Sequence, residues 1–436
     1  MEYCSGIDFK GVKMFKHRNI YTELKSQKDN KKITILVGAR QVGKTTIMRR
    51  LFDDLCKEHS GLFLDLDIYS NYEKISTYED CLNTLKLNGY QINQNEPFFL
   101  FLDEFQRYED VARVLKNVYD HHPNIKVFAS GSSSLAINNQ VQESLAGRKR
   151  IARIYPLNFQ EYLHFIDRDD LLEQTIKVAE LESSNFTGII PEVFQELERF
   201  LVYGGYPEVA LVPDSEKKEV LSSIFDLYVK KDLVDFLQIE RIKHAKSLIQ
   251  QLAVNHGQET PYSELAKVAA VDEKTAKNYI EIFKETYLIT VHSPFFTNRN
   301  KELVKTPKMY FLDNGVRNYF LNNFNACDIR GDSSFLFEGF IISELIKKGI
   351  DPEQMKFWRT KNRQEVNLVL EQNGGLCPVE IKYKNHLKSS DFKGLLKFNE
   401  NYFNCQGLFL VNPNSNQVQD GSIKLLSPFE LAELIR

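Results

Sequence analysis

Three short stretches of this sequence carry side chains whose types and spacing could do chemistry. Gly38-Ala39-Arg40-Gln41-Val42-Gly43-Lys44-Thr45, followed by Thr46, fits the pattern G-x-x-x-x-G-K-[ST]. Glycines at that spacing let backbone N–H groups curl around a phosphate. The lysine reaches the phosphate oxygens, and the hydroxyl after it can ligate Mg2+. Residues Gly38 through Thr46 are therefore expected to bind ATP, with Lys44 catalytic and Thr45 a metal ligand. The second stretch is Asp103-Glu104, two adjacent acids closing an apolar run over 97–102. Asp103 would hold Mg2+ directly or through water, and Glu104 would polarise the water that attacks the terminal phosphate. The third lies further on. Ser130 and Ser132, after Lys126-Val127-Phe128-Ala129, are candidates to sense that phosphate, although a simple turn fits them as well. Arg148, after Ser144-Leu145-Ala146-Gly147, is a candidate to stabilise transition-state charge, in its own site or a neighbour's; a plain surface arginine fits it equally.

The elements that must position these groups can be read from the same residues. Ile33-Thr34-Ile35-Leu36-Val37 is a short β-branched run of the kind buried in parallel sheets, and Thr46-Ile47-Met48-Arg49-Arg50-Leu51-Phe52 continues the loop as a helix. Strand, glycine loop and helix in that order put the helix N-terminus at the phosphate. Runs ending at Asp103 and near Ser130 supply two more parallel strands. Leu62-Phe63-Leu64-Asp65-Leu66-Asp67 supplies another, whose acids read as structural or peripheral.

Gly-Ala-Arg-Gln-Val-Gly-Lys-Thr-Thr, Leu-Phe-Leu-Asp-Glu and Ser-Gly-Ser-Ser-Ser followed by Ala-Gly-Arg together resemble the prokaryotic AAA-like P-loop ATPases. Those carry a C-terminal domain of unknown function with a nuclease-type fold. Tyr155-Pro156-Leu157-Asn158-Phe159-Gln160-Glu161-Tyr162-Leu163 resembles the segment after that family's ATPase core, and Tyr203-Gly204-Gly205-Tyr206-Pro207-Glu208-Val209 its junction motif. The resemblance runs, with gaps, over nearly the whole chain and implies ATP binding and hydrolysis.

The second half offers a helix-turn-helix pattern over 257–291, with Leu288-Ile289-Thr290-Val291 beginning a wing. Its shape points to DNA. Its charge does not: between Asp272 and Glu285 three lysines face four acids, and phosphate contacts dominate DNA affinity. A protein-contact or spacer role stands beside DNA binding. Further on, Glu338, Glu365, Glu380 and Lys382 resemble the restriction-endonuclease-type core, in which carboxylates hold Mg2+ and a lysine orients water. Asn367 stands where that pattern has Asp. A neutral amide lacks the charge of a hard-cation site, so a fold kept for binding or packing is the expected state, with a Mg2+-dependent nuclease as the rival.

Composition bounds these readings. The chain has 436 residues, 26% of them charged, with a formal net charge of −3. That size calls for several domains, and that balance excludes a uniformly basic nucleic-acid coat. The near-zero sum hides +10 across Lys10–Arg50 and −7 across Glu161–Phe200, an asymmetry suited to docking of domains or subunits. No apolar run nears the ~20 residues that span a bilayer, and the start lacks a signal-peptide pattern. Cys4, Cys56, Cys81, Cys327, Cys377 and Cys405 lie far apart and read as reduced thiols, which fits a cytoplasmic protein. The expected fold is α/β: a lead-in over 1–30, a P-loop ATPase sheet over 31–160, and a helical connector or lid over 161–215. A helical and winged-helix domain over 216–300 and a nuclease-like α/β domain over 301–436 complete it. The main functional expectation is an ATP-hydrolysing switch or motor, with DNA, a protein, or a second copy of the chain as partner. A nucleotide-regulated nucleic-acid-binding module is the alternative.

Overall fold

The computed structural model describes residues 6–7, 13–92, 96–131, 144–180, 189–236, 242–296, 305–362, 364–414 and 422–435. Five short strands, β1 (Ile33–Val37), β2 (Gly61–Asp65), β3 (Phe98–Asp103), β4 (Ile125–Gly131) and β5 (Lys149–Arg153), pair side by side in the order β2-β3-β4-β1-β5. Every pairing is parallel. Strands β1, β3 and β4 are buried along their whole length, which is why their sequences run apolar without alternation. Strand β4 stands between β1 and β3 and so separates the strand of the phosphate loop from that of the paired acids.

Helices that connect parallel strands must show the sheet one apolar stripe. In the helix over Val111–His121 that stripe is Val111, Val114, Leu115 and Val118, all buried. The phosphate loop leads directly into α1 (Lys44–Leu55), which buries Ile47, Met48, Leu51 and Leu55.

The chain divides into two compact units. The first holds Met1–Pro156, Asp226–Leu237 and Glu285–Tyr287; the second holds Leu157–Phe225, Gln238–Lys284 and Leu288–Arg436. Two late segments thus return to the first unit. The returning segments bring specific contacts. Tyr287 meets Tyr155 edge-on with ring centroids 5.9 Å apart, and Tyr228 is hydrogen-bonded to Thr286 at 2.9 Å.

In the second unit, α2 (Ile242–Val254), α3 (Tyr262–Val268) and α4 (Glu273–Glu285) precede an antiparallel hairpin of β6 (Ile289–His292) and β7 (Lys308–Phe311). After α5 (Ser333–Lys347) comes a separate mixed sheet. Its strands β8 (Met355–Arg359), β9 (Glu365–Gln372), β10 (Gly375–Ile381), β11 (Leu408–Val411) and β12 (Ile423–Leu426) lie in sequence order. The first three are antiparallel and the last two join in parallel, a step that requires a crossover, and a helix over Lys393–Asn401 provides it. The cysteines among the described residues are free, and among those residues no helix is long and apolar enough to cross a membrane.

Candidate active site

In an open parallel sheet, ligands bind beyond the carboxyl ends of the strands. Three strands of the first unit deliver their chemical residues there. β1 ends at Val37 and opens into the loop Gly38–Thr45. Two glycines in that loop are required by geometry. A Cβ on Gly38 would fall 2.0 Å from the Ile154 carbonyl oxygen, and Gly43 adopts a left-handed φ of 93°. Lys44 is buried, and its Nζ donates to the carbonyls of Gly38 at 2.9 Å and Ala39 at 2.8 Å. Burial pulls the Lys44 ammonium below its ordinary pKa, against the opposing pull of Glu104. Thr45 and Thr46, half-buried, follow on the first turn of α1.

Strand β3 ends in Asp103, only 2% exposed. The Ser130 hydroxyl, from the neighbouring end of β4, donates to Asp103 Oδ1, and the Thr45 hydroxyl also bonds this carboxylate. Burial raises the Asp103 pKa, and these two hydroxyls act to lower it. Glu104 turns off the strand with a left-handed φ of 54°. Its backbone N–H donates to Ser130 Oγ at 3.2 Å, and its carboxylate accepts from Gln106 Nε2 at 2.6 Å. A buried carboxylate tied to the hydroxyl after the loop lysine suits Mg2+, for which Thr45 and Asp103 are the candidate ligands. The loop's backbone N–H groups and Lys44 suit the ATP polyphosphate.

The structure thus brings Gly38 through Thr46, Asp103, Glu104 and Ser130 to one edge of the sheet. Ser132 lies outside the described residues. Arg148 does not reach this edge within its own chain. It precedes β5 and accepts at its carbonyl from Ile33 N at 2.9 Å, so it stands at the amino end of β1. The loop begins beyond the other end of that strand, roughly 13 Å away along four residues. Its guanidinium is paired twice with Asp120, at 2.8 and 3.0 Å.

Three residues of the site carried no signal of their own in the sequence. Arg18, buried, donates to the Val42 carbonyl at 3.0 Å and the Tyr155 carbonyl at 2.9 Å, fixing the loop from outside. Gln106 holds Glu104. Arg40 of the loop pairs at 2.9 Å with Asp232, whose carboxyl burial pushes up to about 6 against the opposing pull of Arg40. Only Gln106 was within reach of local reasoning, two residues from an acid already singled out.

The second acidic group, in the second unit, does gather: Glu338 on α5, Glu365 and Asn367 on β9, Glu380 on β10 and Lys382 just beyond it. Its chemistry does not fit a divalent cation. Lys308 of β7, 4% exposed, places its ammonium on Glu365 and 3.4 Å from Glu338. Tyr310 donates to Glu338 at 2.6 Å, and Asn367 Nδ2 donates to its other oxygen at 3.0 Å. Lys382 pairs with Glu380 Oε1. Donors therefore engage both oxygens of Glu338 and one oxygen each of Glu365 and Glu380, while the buried Glu380 Oε2 has no hydrogen bond. Burial raises Glu380 to about 7, with Lys382 opposing. Among the described residues no group of three or more His, Cys, Asp or Glu is placed to hold a metal ion.

Residues 30–163 match a family model described as an AAA domain, and residues 194–326 and 333–431 match two described as domains of unknown function. The chain is 27% identical over 377 residues to an uncharacterized protein of Methanocaldococcus jannaschii, covering 84% of this chain and 78% of that one. It is 22% identical over 398 residues to an uncharacterized protein of Haemophilus influenzae, covering 89% and 92%. Among solved structures it resembles a Walker-type ATPase of Pyrococcus abyssi with a TM-score of 0.46 and 15% identity, over 73% of this chain and 98% of that one. With its parallel sheet, glycine loop and strand-end acids, the N-terminal part of this chain is an AAA-type P-loop ATPase domain, continued by two domains of unknown function.

Proposed function

We propose that this chain is a Mg2+-dependent ATP hydrolase that works as a molecular switch or motor for its C-terminal domains. The observation that carries the reading is the convergence of Lys44, Thr45, Asp103, Glu104 and Ser130 at one sheet edge. Lys44 and the loop N–H groups hold the phosphates, and Asp103, set by Ser130, orients the metal side of the site with Thr45. Mg2+, when bound, neutralises phosphate charge. Glu104 accepts the proton of the attacking water, and Gln106 fixes the carboxylate that does so. Phosphate release from the purified chain tests this: turnover in wild type and its loss in Lys44→Ala support it, whereas equal rates in both reject it.

The partner we infer for the C-terminal domains is a protein rather than DNA. On α4, Lys277 is paired with Glu273 at 2.7 Å and Lys284 with Glu281 at 3.6 Å. Cations engaged within the helix are poor phosphate contacts. Duplex DNA added at low salt is expected to leave the phosphate-release rate unchanged; a salt-sensitive stimulation would reverse this assignment.

A further inference from the structure

Arg40 belongs to the phosphate loop, yet its guanidinium is held by a residue 192 positions later in the chain, Asp232, with Nε donating to Oδ1 at 2.9 Å. The two side chains differ in access to water. Arg40 is 22% exposed and Asp232 3%, so the arginine can turn toward a ligand on the loop while the aspartate cannot follow it. Asp232 sits within a π-helical turn, Tyr228–Phe236, which belongs to the ATPase unit although it lies far outside the matched domain in sequence. π-helical backbone is rare and concentrates at functional sites. Asp232 also lies in the field of Lys44 and Glu104, the two residues on which phosphate binding and water activation depend.

A guanidinium offers the same fork of N–H groups to a carboxylate and to a phosphate. Asp232 and a polyphosphate on the loop therefore compete for Arg40, and the polyphosphate carries the larger charge. Transfer of Arg40 leaves a buried carboxylate with less compensation, an arrangement that costs free energy until the turn carrying it shifts toward water. Building on the ATP-binding reading above, we propose that Asp232 is a latch on the nucleotide site: bound polyphosphate draws Arg40 away from it, and the turn Tyr228–Phe236 loosens in consequence. Asp232 is thus a positioning residue, and by linkage whatever it contributes to holding Arg40 weakens nucleotide binding by the same factor. The turn follows a helix over Asp214–Leu227 without a break in the sequence, so occupancy of the loop is conveyed to a segment outside the matched ATPase domain.

The test is calorimetric titration of ATP with Mg2+ into the full-length wild type, Asp232→Asn, Arg40→Met and the double variant. Asp232→Asn is expected to bind ATP roughly fivefold or more tightly, the direction opposite to that of a damaged site. The gain is expected to vanish in the Arg40→Met background. Hydrogen exchange across 228–236 supplies a second readout that needs no variant: it is expected to speed up in wild type when ATP is added. Wild type that binds ATP, with equal or weaker binding by Asp232→Asn and no change in exchange, overturns the latch and leaves the ATP reading standing. Wild type that binds no ATP overturns both.

Discussion

Ser130 joins Asp103 and Glu104 through one hydroxyl: it donates to the Asp103 carboxylate and accepts the backbone N–H of Glu104 at 3.2 Å. The two acids, for which different duties are proposed, one toward the metal and one toward water, are therefore set by a side chain from the adjacent strand. Ser130→Ala leaves a buried carboxylate and a backbone N–H each short of a partner, a loss of roughly 1–3 kcal/mol. The expected outcome is a melting temperature lowered by several degrees, with slower phosphate release at saturating ATP. A variant that melts and turns over like wild type would show that Asp103 is held by other means.

Arg148 yields an expectation of the opposite kind. Both it and Asp120 are about one-third exposed, at 30% and 31%, and solvent screens an ion pair so placed. Arg148→Ala is expected to leave turnover per chain in dilute protein within about twofold of wild type. A large loss that grows with protein concentration would instead place this arginine in the site of a neighbouring copy.

The acidic group of the second unit is expected to be catalytically silent. Plasmid incubated with the protein and Mg2+ or Mn2+ should remain intact, and Asn367→Asp alone should not change that, because Lys308 still supplies the positive charge between Glu338 and Glu365. Lys308→Met removes one partner of a buried set of charges and should cost roughly 3–5 kcal/mol of stability, read by denaturant unfolding. Cleavage of plasmid by wild type, abolished in Glu380→Gln, would contradict this account of the cluster.

Acid stability offers an independent check on the second unit. Asp332 is held by Arg330, at 2.6 Å, and by Arg317. Burial alone would raise its pKa, but the two arginines bring it down from 3.8 to about 2. A depressed carboxylate contributes stability above its unfolded pKa and loses it as pH falls through the folded one. The advantage of wild type over Asp332→Asn, roughly 2 kcal/mol at neutral pH, should therefore shrink between about pH 4 and pH 2. A difference independent of pH across that window would show that the arginines do not act through charge.

How much of this was legible in the sequence depends on the range of each interaction. The loop and the Asp103-Glu104 pair are local patterns, since strand, glycine turn and helix are contiguous and each residue type has one chemical reason to be there. Ser130 was readable only as a candidate, because a polar residue ending a core strand can serve the site beside it or simply begin a turn. Arg148 stayed open between a site residue and a surface arginine because a glycine-arginine pair says nothing about which end of a parallel strand it occupies; that follows only from the pairing of β5 with β1. Asp232 and Arg18 could not be found, for each meets the loop through tertiary packing that no spacing rule encodes. In the acidic cluster of the second unit Asn367 was visible in the sequence, but Lys308, the cation that stands between Glu338 and Glu365, comes from a strand outside that pattern.

The central claim is that Glu104 activates water while Lys44 and the loop hold ATP, two duties carried by different residues. Measuring ATP binding and single-turnover phosphate release on the same Glu104→Gln sample separates them. The expected result is ATP affinity close to that of wild type with release slowed by about 100-fold or more, the scale of lost general-base catalysis. Undiminished release from that variant, with ATP bound, would contradict it.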